Sequence, residues 1–373
     1  FGHLMTALET EKLLDRNVEF LPSNEEIAKI SNAKEKLSKP ELAVLMSYSK
    51  MSVYNDLLNS SIAEDPATEE LLLEYFPPLM RERFREEILS HQLKKEIILT
   101  VITNKIVNEL GSPMVNHIKS ETGAKLCDIV RSYMIILKIF DIENLWKKTE
   151  DLSGKILFET QIDIFSEIIK LLRRGISWFI RNVPHPIKIA DSIESYGESV
   201  PKLCDRLNMF LLGEAKEKLN SRIEHYKENG VPENFAHNIA ILDSGISTLD
   251  VLHVAHSTEI DNLQISELYF KVADYFHIDW MRKCVERNIT ESYWNRMSIQ
   301  ALKDDLYDKQ RRVLQKVIDY EPGKASLEKW LEHTDKYVTI FINFIEELKL
   351  QENIDLNMMI LANKQFEMLL RKV

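Results

Sequence analysis

Apolar residues recur along this chain at steps of three and four, and strict alternation does not persist anywhere. The pattern therefore predicts helices nearly throughout and no sheet. The clearest stripe runs through Ile162, Phe165, Ile168, Ile169, Leu172, Ile176, Phe179 and Ile180, one face of a long amphipathic helix. It should stop at Val183-Pro184-His185-Pro186, because proline lacks a donor and pushes the residue before it out of the helical region. A second long run is predicted from Leu79 to Leu110, opening after Pro77-Pro78 and closing at Gly111. Start signals are frequent. Ser23-Asn24-Glu25-Glu26 and Ser38-Lys39-Pro40-Glu41 read as capping boxes, and Asp65-Pro66 and Ser112-Pro113 place proline at a first helical position. Prolines, a glycine and several serines interrupt the periodicity from Val183 to Pro201, the best internal boundary, and no fixed repeat period recurs. The reading is an all-α chain, an irregular multi-helix array in two helical lobes, 37–183 and 184–373. Residues 1–36 open inside a helical pattern, Leu4-Met5 through Leu13-Leu14, with no cap before it, and are expected to continue an upstream domain.

Composition narrows the classes. Only 10 Gly and 11 Pro in 373 residues argue against a turn-rich sandwich or a disordered linker protein. A net charge of −11 disfavours capture of nucleic acid or an anionic membrane. Charge-free stretches such as Tyr337 to Ile345 fall short of the ~20 residues that span a bilayer, and the first residues carry no signal-peptide pattern. Cys127, Cys204 and Cys284 are scattered and form no CxxC, which points to a reduced, cytoplasmic setting.

Most recognisable chemistry is excluded. No two glycines lie closer than Gly111 and Gly123, so the dinucleotide loop GxGxxG cannot be formed, and no cofactor site is expected. Gly323-Lys324-Ala325 lacks the rest of a P-loop, and Gly175-Ile176-Ser177 and Gly245-Ile246-Ser247 lack the second glycine of a nucleophile elbow. No histidine is followed by glutamate or preceded by one at three residues, which removes HExxH and ExxH metal motifs. Asp250, His253 and His256 share a helix face, as metal ligands would. The favoured reading makes Ser247 and Asp250 a capping box instead, with no metal bound, and Asp274 with His277 is read in the same way. The paired bases Lys94-Lys95, Lys147-Lys148, Arg173-Arg174 and Arg311-Arg312 are acid-flanked and read as solvated faces. Trp146, Trp178, Trp280, Trp294 and Trp330, with Cys127, read as core. Thr100, Asn104 and Asn108 form a polar line at steps of four, either an exposed edge or a buried seam. The apolar residues on both sides lead us to expect Asn104 and Asn108 buried. No catalytic, cofactor-binding or metal residue is assigned.

Several short motifs, taken in order, resemble a known family. Leu37-Ser38-Lys39-Pro40-Glu41-Leu42-Ala43-Val44-Leu45 with Tyr48 and Lys50 is similar to a signature of the very large bacterial NAD-specific glutamate dehydrogenases. Tyr75-Phe76-Pro77, His91-Gln92-Leu93-Lys94-Lys95-Glu96-Ile97-Ile98, Asn104, Val107-Asn108, Gly111, Glu121-Thr122-Gly123-Ala124 and Leu145-Trp146 continue the resemblance. Gly230-Val231-Pro232-Glu233, Leu249-Asp250-Val251, Asp279-Trp280 and Ala301-Leu302-Lys303-Asp304-Asp305-Leu306 resemble the C-terminal part. The match is dense over 37–146, thin over 150–225, returns over 230–318 and then fades. Lysines stand at 39, 94 and 95 where the family commonly has arginines, which removes bidentate anion recognition there.

The resemblance implies a non-catalytic C-terminal region of an enzyme that oxidises L-glutamate to 2-oxoglutarate and ammonia with NAD. The catalytic and NAD-binding domains would lie upstream. They would be this region's partners in a cytoplasmic homo-oligomer, with assembly, support or regulation as its role. The alternative is a free-standing helical protein-interaction module with no enzymatic parent.

Overall fold

The computed structural model describes residues 1–33, 35–258, 260–288, 293–323 and 325–373, apart from the side chains of residues 293 and 335. Lys324, weighed above as part of a phosphate loop, lies outside the described residues. Among those described, helices are the only regular elements and there is no strand. The chain divides into two units. One comprises Phe1–Asp151 with Ile162–Gly197, the other Leu152–Gln161 with Glu198–Val373.

In the first unit both capping boxes form. Ser23 and Glu26 open helix Asn24–Asn32, and Ser38 and Glu41 open helix Lys39–Leu58, each pair exchanging side-chain and backbone hydrogen bonds. Asp65 accepts from the Ala67 amide at the start of the short turn Pro66–Thr68. The N-terminal residues Leu4, Met5, Leu8, Leu14 and Leu21 close a core with Leu45 of the 39–58 helix. Helix Lys94–Leu110 buries Ile98, Leu99, Ile102, Ile106, Val107 and Leu110. It ends at Gly111 (φ +86°), and helix Ser112–Thr122 ends at Gly123 (φ +67°). A side chain would be strained at either glycine. The strongest predicted stripe lies in helix Phe158–Asn182. Gly175 of that helix lies against Ile136 of helix Leu126–Ile139, so close that an added Cβ would come within 2.5 Å of Ile136 Cδ1.

Two expectations for this unit need correction. The run 79–110 is not one helix: it divides into Pro78–Arg83, Arg85–Leu89 and Lys94–Leu110. Phe84 leaves the helical region (φ −126°, ψ 37°), and His91 Nδ1 accepts from the Leu93 amide at 3.0 Å, offering the backbone a turn instead of a further helical bond. The Asn104 line is not a buried seam. Asn104 is half-buried, and Thr100 and Asn108 are exposed. The buried face is offset around the helix, and Thr103 is the polar residue inside it.

The second unit is centred on the long helix Tyr293–Tyr320, with helices Asn262–Tyr275, Ile278–Arg287, Leu327–Lys349 and Leu356–Leu370. Phe276, Trp330, Phe341 and Phe366 form its aromatic centre. Phe341 stacks on Phe366 at 4.8 Å between ring centroids, and Phe276 packs against both, at 5.7 Å from Phe366 and 6.2 Å from Phe341. Of the tryptophans, Trp178 and Trp330 are buried, Trp146 and Trp280 half-buried, and Trp294 is 71% exposed, contrary to the core reading. Cys127 is half-buried rather than core.

Candidate functional site: two buried polar centres

A cavity of about 360 Å³ opens in the second unit, lined by helices Gly213–Glu228, Asn262–Tyr275, Ile278–Arg287 and Tyr293–Tyr320. Its wall is a chain of alternating charges. Lys218 lies between Asp243 (2.7 Å) and Glu286 (3.0 Å), and Lys303 reaches the other oxygen of Glu286. Burial alone would pull the Lys218 ammonium down, but the two carboxylates more than offset it and hold it above the ordinary lysine value. Burial pushes Asp279 up, against the opposing pull of Arg282 at 2.9 Å. The Arg282 guanidinium carbon lies over the Tyr307 ring, 3.5 Å from its centroid, and Arg282 donates to Gln310 at 2.5 Å. Gln310 in turn donates to the Tyr269 carbonyl at 2.9 Å, and the buried Tyr269 hydroxyl donates to Asp250 at 3.0 Å. Asp250 also accepts from Arg311 at 3.1 Å.

Asp250 is therefore a buried acceptor and not a cap. Leu242–Gly245 are already helical, and Ile246 stays in the helical region (φ −60°, ψ −27°). Ser247 thus never takes the extended conformation that an N-cap needs, and helix Ser247–His256 has no side-chain cap. His253 is half-buried and His256 exposed. Burial, then Arg311, lowers the His253 pKa. Asp274 and His277 also do other work: the Asp274 carboxylate abuts Gly213, and His277 reaches Glu346 at 2.9 Å. No group of three metal-ligating side chains is placed to hold an ion among the described residues. Burial pushes the Cys204 thiol up to about 12, which leaves almost no thiolate at neutral pH.

The first unit has a smaller polar centre. Asp128, 5% exposed, accepts from His185 Nδ1 at 3.0 Å, from Arg131 at 3.3 Å and from the Ile187 amide at 3.4 Å. The second ring nitrogen of His185 faces the Ile180 carbonyl at 2.9 Å. With an acceptor at each nitrogen the imidazolium is favoured, and the Ile180 carbonyl, then Asp128, raises its pKa. Beside this centre, Glu121 binds Arg181 at 3.0 Å and Arg173 at 3.5 Å.

Two of the paired bases are thus structural rather than solvated. Arg173 and Arg174 are each 9% exposed. Arg311 holds Asp250, and Arg312 grips Glu367 with two bonds, at 2.7 and 3.2 Å. Lys147 and Lys148 are exposed, as read. Lys218, Asp243, Glu286, Tyr269 and Gln310 went unnoticed in the sequence, because their partners are distant in the chain; Arg311 and Asp250 are 61 residues apart.

The family model for the glutamate dehydrogenase C-terminal region matches residues 34–368. The chain belongs to this family. It is 29% identical over 369 residues to the NAD-specific glutamate dehydrogenase of Pseudomonas aeruginosa, covering 98% of this chain and 23% of that protein. It is 28% identical over 335 residues to the protein of the same name from Halomonas elongata, covering 89% of this chain and 21% of the relative. For the Mycobacterium tuberculosis protein of that name, 28% identity extends over 326 residues, 87% of this chain and 20% of the relative. The chain thus spans between a fifth and a quarter of the relatives it matches.

Several residues that carry the resemblance to the glutamate dehydrogenases sit inside the two polar centres. Asp250, Asp279 and Lys303 belong to the second unit's charge chain, and Asp305 binds Lys309 and Asn363 next to it. In the first unit, Glu121 is the acceptor for two arginines, and Gly123 supplies the left-handed turn before helix Leu126–Ile139. These are fold-holding roles: each charge has a partner within its own unit. No helix of the described residues is long and apolar enough to cross a membrane.

Proposed function

We propose that this chain serves as the non-catalytic C-terminal region of an NAD-specific glutamate dehydrogenase. The parent enzyme converts L-glutamate, NAD and water to 2-oxoglutarate, ammonia and NADH in the catabolism of glutamate. The observation that carries the reading is the family match over residues 34–368, joined to the fate of the shared residues. Those among them that lie in the two polar centres hold helix ends and ion pairs, the work of a scaffold, and none of these is grouped as a nucleophile with its base or as a set of ligands.

In this reading NAD is bound upstream, and the helical region supports the catalytic part of the same cytoplasmic polypeptide and contributes to a homo-oligomer. The direct test is a binding experiment. The 373-residue chain, immobilised, should retain the remainder of the parent polypeptide supplied separately, while calorimetry with NAD shows no binding to the chain alone. Failure to retain the remainder, or micromolar NAD binding with glutamate-dependent reduction by the chain alone, would overturn the reading.

A further inference from the structure

Helix Leu126–Ile139 of the first unit starts without a cap. Lys125 holds its N-cap position in an extended conformation (φ −69°, ψ 144°), and no side chain closes the first turn. The Lys125 carbonyl takes the Asp128 and Ile129 amides, at 3.0 and 3.2 Å, and the Leu126 and Cys127 amides find no acceptor among the described residues. Free amides and the helix dipole together favour an anion at such a start, although water satisfies many of them. Two further features set this one apart.

The first is the charge around it. Lys125, Cys127 and Asp128 line an open cleft of about 770 Å³, together with the Thr122–Ala124 turn. Four cationic side chains, Lys125, Arg131, Arg181 and His185, stand against a single carboxylate, Asp128, in its lining. The second unit's cavity carries four cations and five carboxylates, which neutralise one another. In the cleft, Asp128, Glu121 and Asp65 offset Arg131, Arg181 and His185 through the ion pairs they make. Lys125 is left over. It is exposed, and no carboxylate pairs with it among the described residues.

The second is a buried donor. The Arg131 side chain is only 10% exposed. Its Nη1 donates to Asp128 at 3.3 Å and its Nη2 to the Ser61 hydroxyl at 3.2 Å. Its buried Nε has no hydrogen-bond acceptor, and the Asp65 carboxylate stands off at 3.8 Å. Proteins seldom leave such a donor unmet.

These donors also select among anions. Both terminal nitrogens of Arg131 are engaged, so it has no two-pronged fork to offer a planar carboxylate. His185 gives its ring nitrogens to Asp128 and the Ile180 carbonyl and contributes only charge. What remains is a set of single N–H donors on separate groups, which suits the divergent oxygens of a phosphate.

We propose that this cleft binds the phosphate group of a small molecule, with the first-turn amides, Arg131 Nε and the Lys125 ammonium as its donors. The site belongs to this chain alone and does not depend on the function proposed above.

The test is equilibrium dialysis of the 373-residue chain against radiolabelled inorganic phosphate, with ionic strength held by potassium chloride. Binding should saturate at one phosphate per chain. Lys125→Glu, a change at an exposed side chain, should weaken it about tenfold or more, with the urea midpoint unchanged. Lys148→Glu, the same charge change at another exposed lysine of this unit, should leave it within about twofold. Succinate should displace the label far less well than unlabelled phosphate. No saturable binding, or equal weakening by the two variants, would overturn the site. Displacement by succinate as effective as by phosphate would overturn its assignment to phosphate.

Discussion

Replacing Asp250 should damage the second unit more than any change on its surface, and in a graded way. The carboxylate is 4% exposed and accepts from two donors, the Tyr269 hydroxyl at 3.0 Å and Arg311 at 3.1 Å. Tyr269 is fully buried, so its hydroxyl cannot turn to water. Arg311 is better placed, since it keeps Asp308 at 2.7 Å. Asp250→Ala removes both acceptors and leaves a small void, and removing one partner of a buried ion pair costs about 3–5 kcal/mol. Asp250→Asn keeps an acceptor for Tyr269 and loses only the charge opposite Arg311, for a cost of about 1–2 kcal/mol. With a urea dependence of about 3 kcal/mol per molar, the alanine variant should unfold ~1 M or more earlier than wild type. The asparagine variant should fall between them, and Glu267→Ala, in an exposed pair with Lys271 on the same unit, should be silent. Urea melts followed by circular dichroism would measure this. Equal midpoints for Asp250→Asn and Asp250→Ala would refute the role of the Tyr269 hydroxyl, and a silent Asp250→Ala would refute the network.

Gly175→Ala should destabilise by about 1–3 kcal/mol through overpacking against Ile136, despite alanine's better helix propensity; a thermal melt showing a more stable variant would contradict it. Asn104→Leu should be neutral within about 0.5 kcal/mol, because Asn104 is half-buried on a helix edge and no partner among the described residues depends on it. A loss as large as that of Asp250→Asn in the same urea melts would revive a buried seam. His185 should titrate above the ordinary histidine value of 6.5, since its charged form meets the Ile180 carbonyl and Asp128. A folded-state pKa raised above the unfolded one gives stability that is complete below the unfolded pKa and lost as pH rises through the folded one. His185→Gln should flatten that decline, and a nuclear magnetic resonance titration placing His185 at or below 6.5 would contradict it.

The helical fold was legible because the signals that write it are local. Stripes at steps of three and four, two Ser-x-x-Glu boxes and Gly111 and Gly123 all act within a few residues of themselves, and each does in the structure what its chemistry demands. The misreadings share one cause. Ser247-Thr248-Leu249-Asp250 has the spacing of a box, but whether it caps depends on Ile246 leaving the helix, and Ile246 does not. The line Thr100–Asn104–Asn108 has apolar residues on either side, yet which flank faces the core is set by the helices packed against it. The run 79–110 keeps its periodicity across breaks made by Phe84 and by the His91 side chain. The charge chain around Lys218 was illegible for the same reason, because Lys218, Asp243, Glu286 and Lys303 meet only after four separate segments have packed.

On the function proposed above, this region supports an enzyme whose chemistry lies elsewhere in the polypeptide. NADH formation from glutamate by the parent polypeptide truncated before this region, followed by addition of the 373-residue chain, decides between that function and its failure. The truncated enzyme should lose most of its activity or its assembly and the added chain should restore it, while the chain alone produces no NADH. Full activity of the truncated enzyme in its normal oligomeric state, unchanged by the added chain, would contradict it.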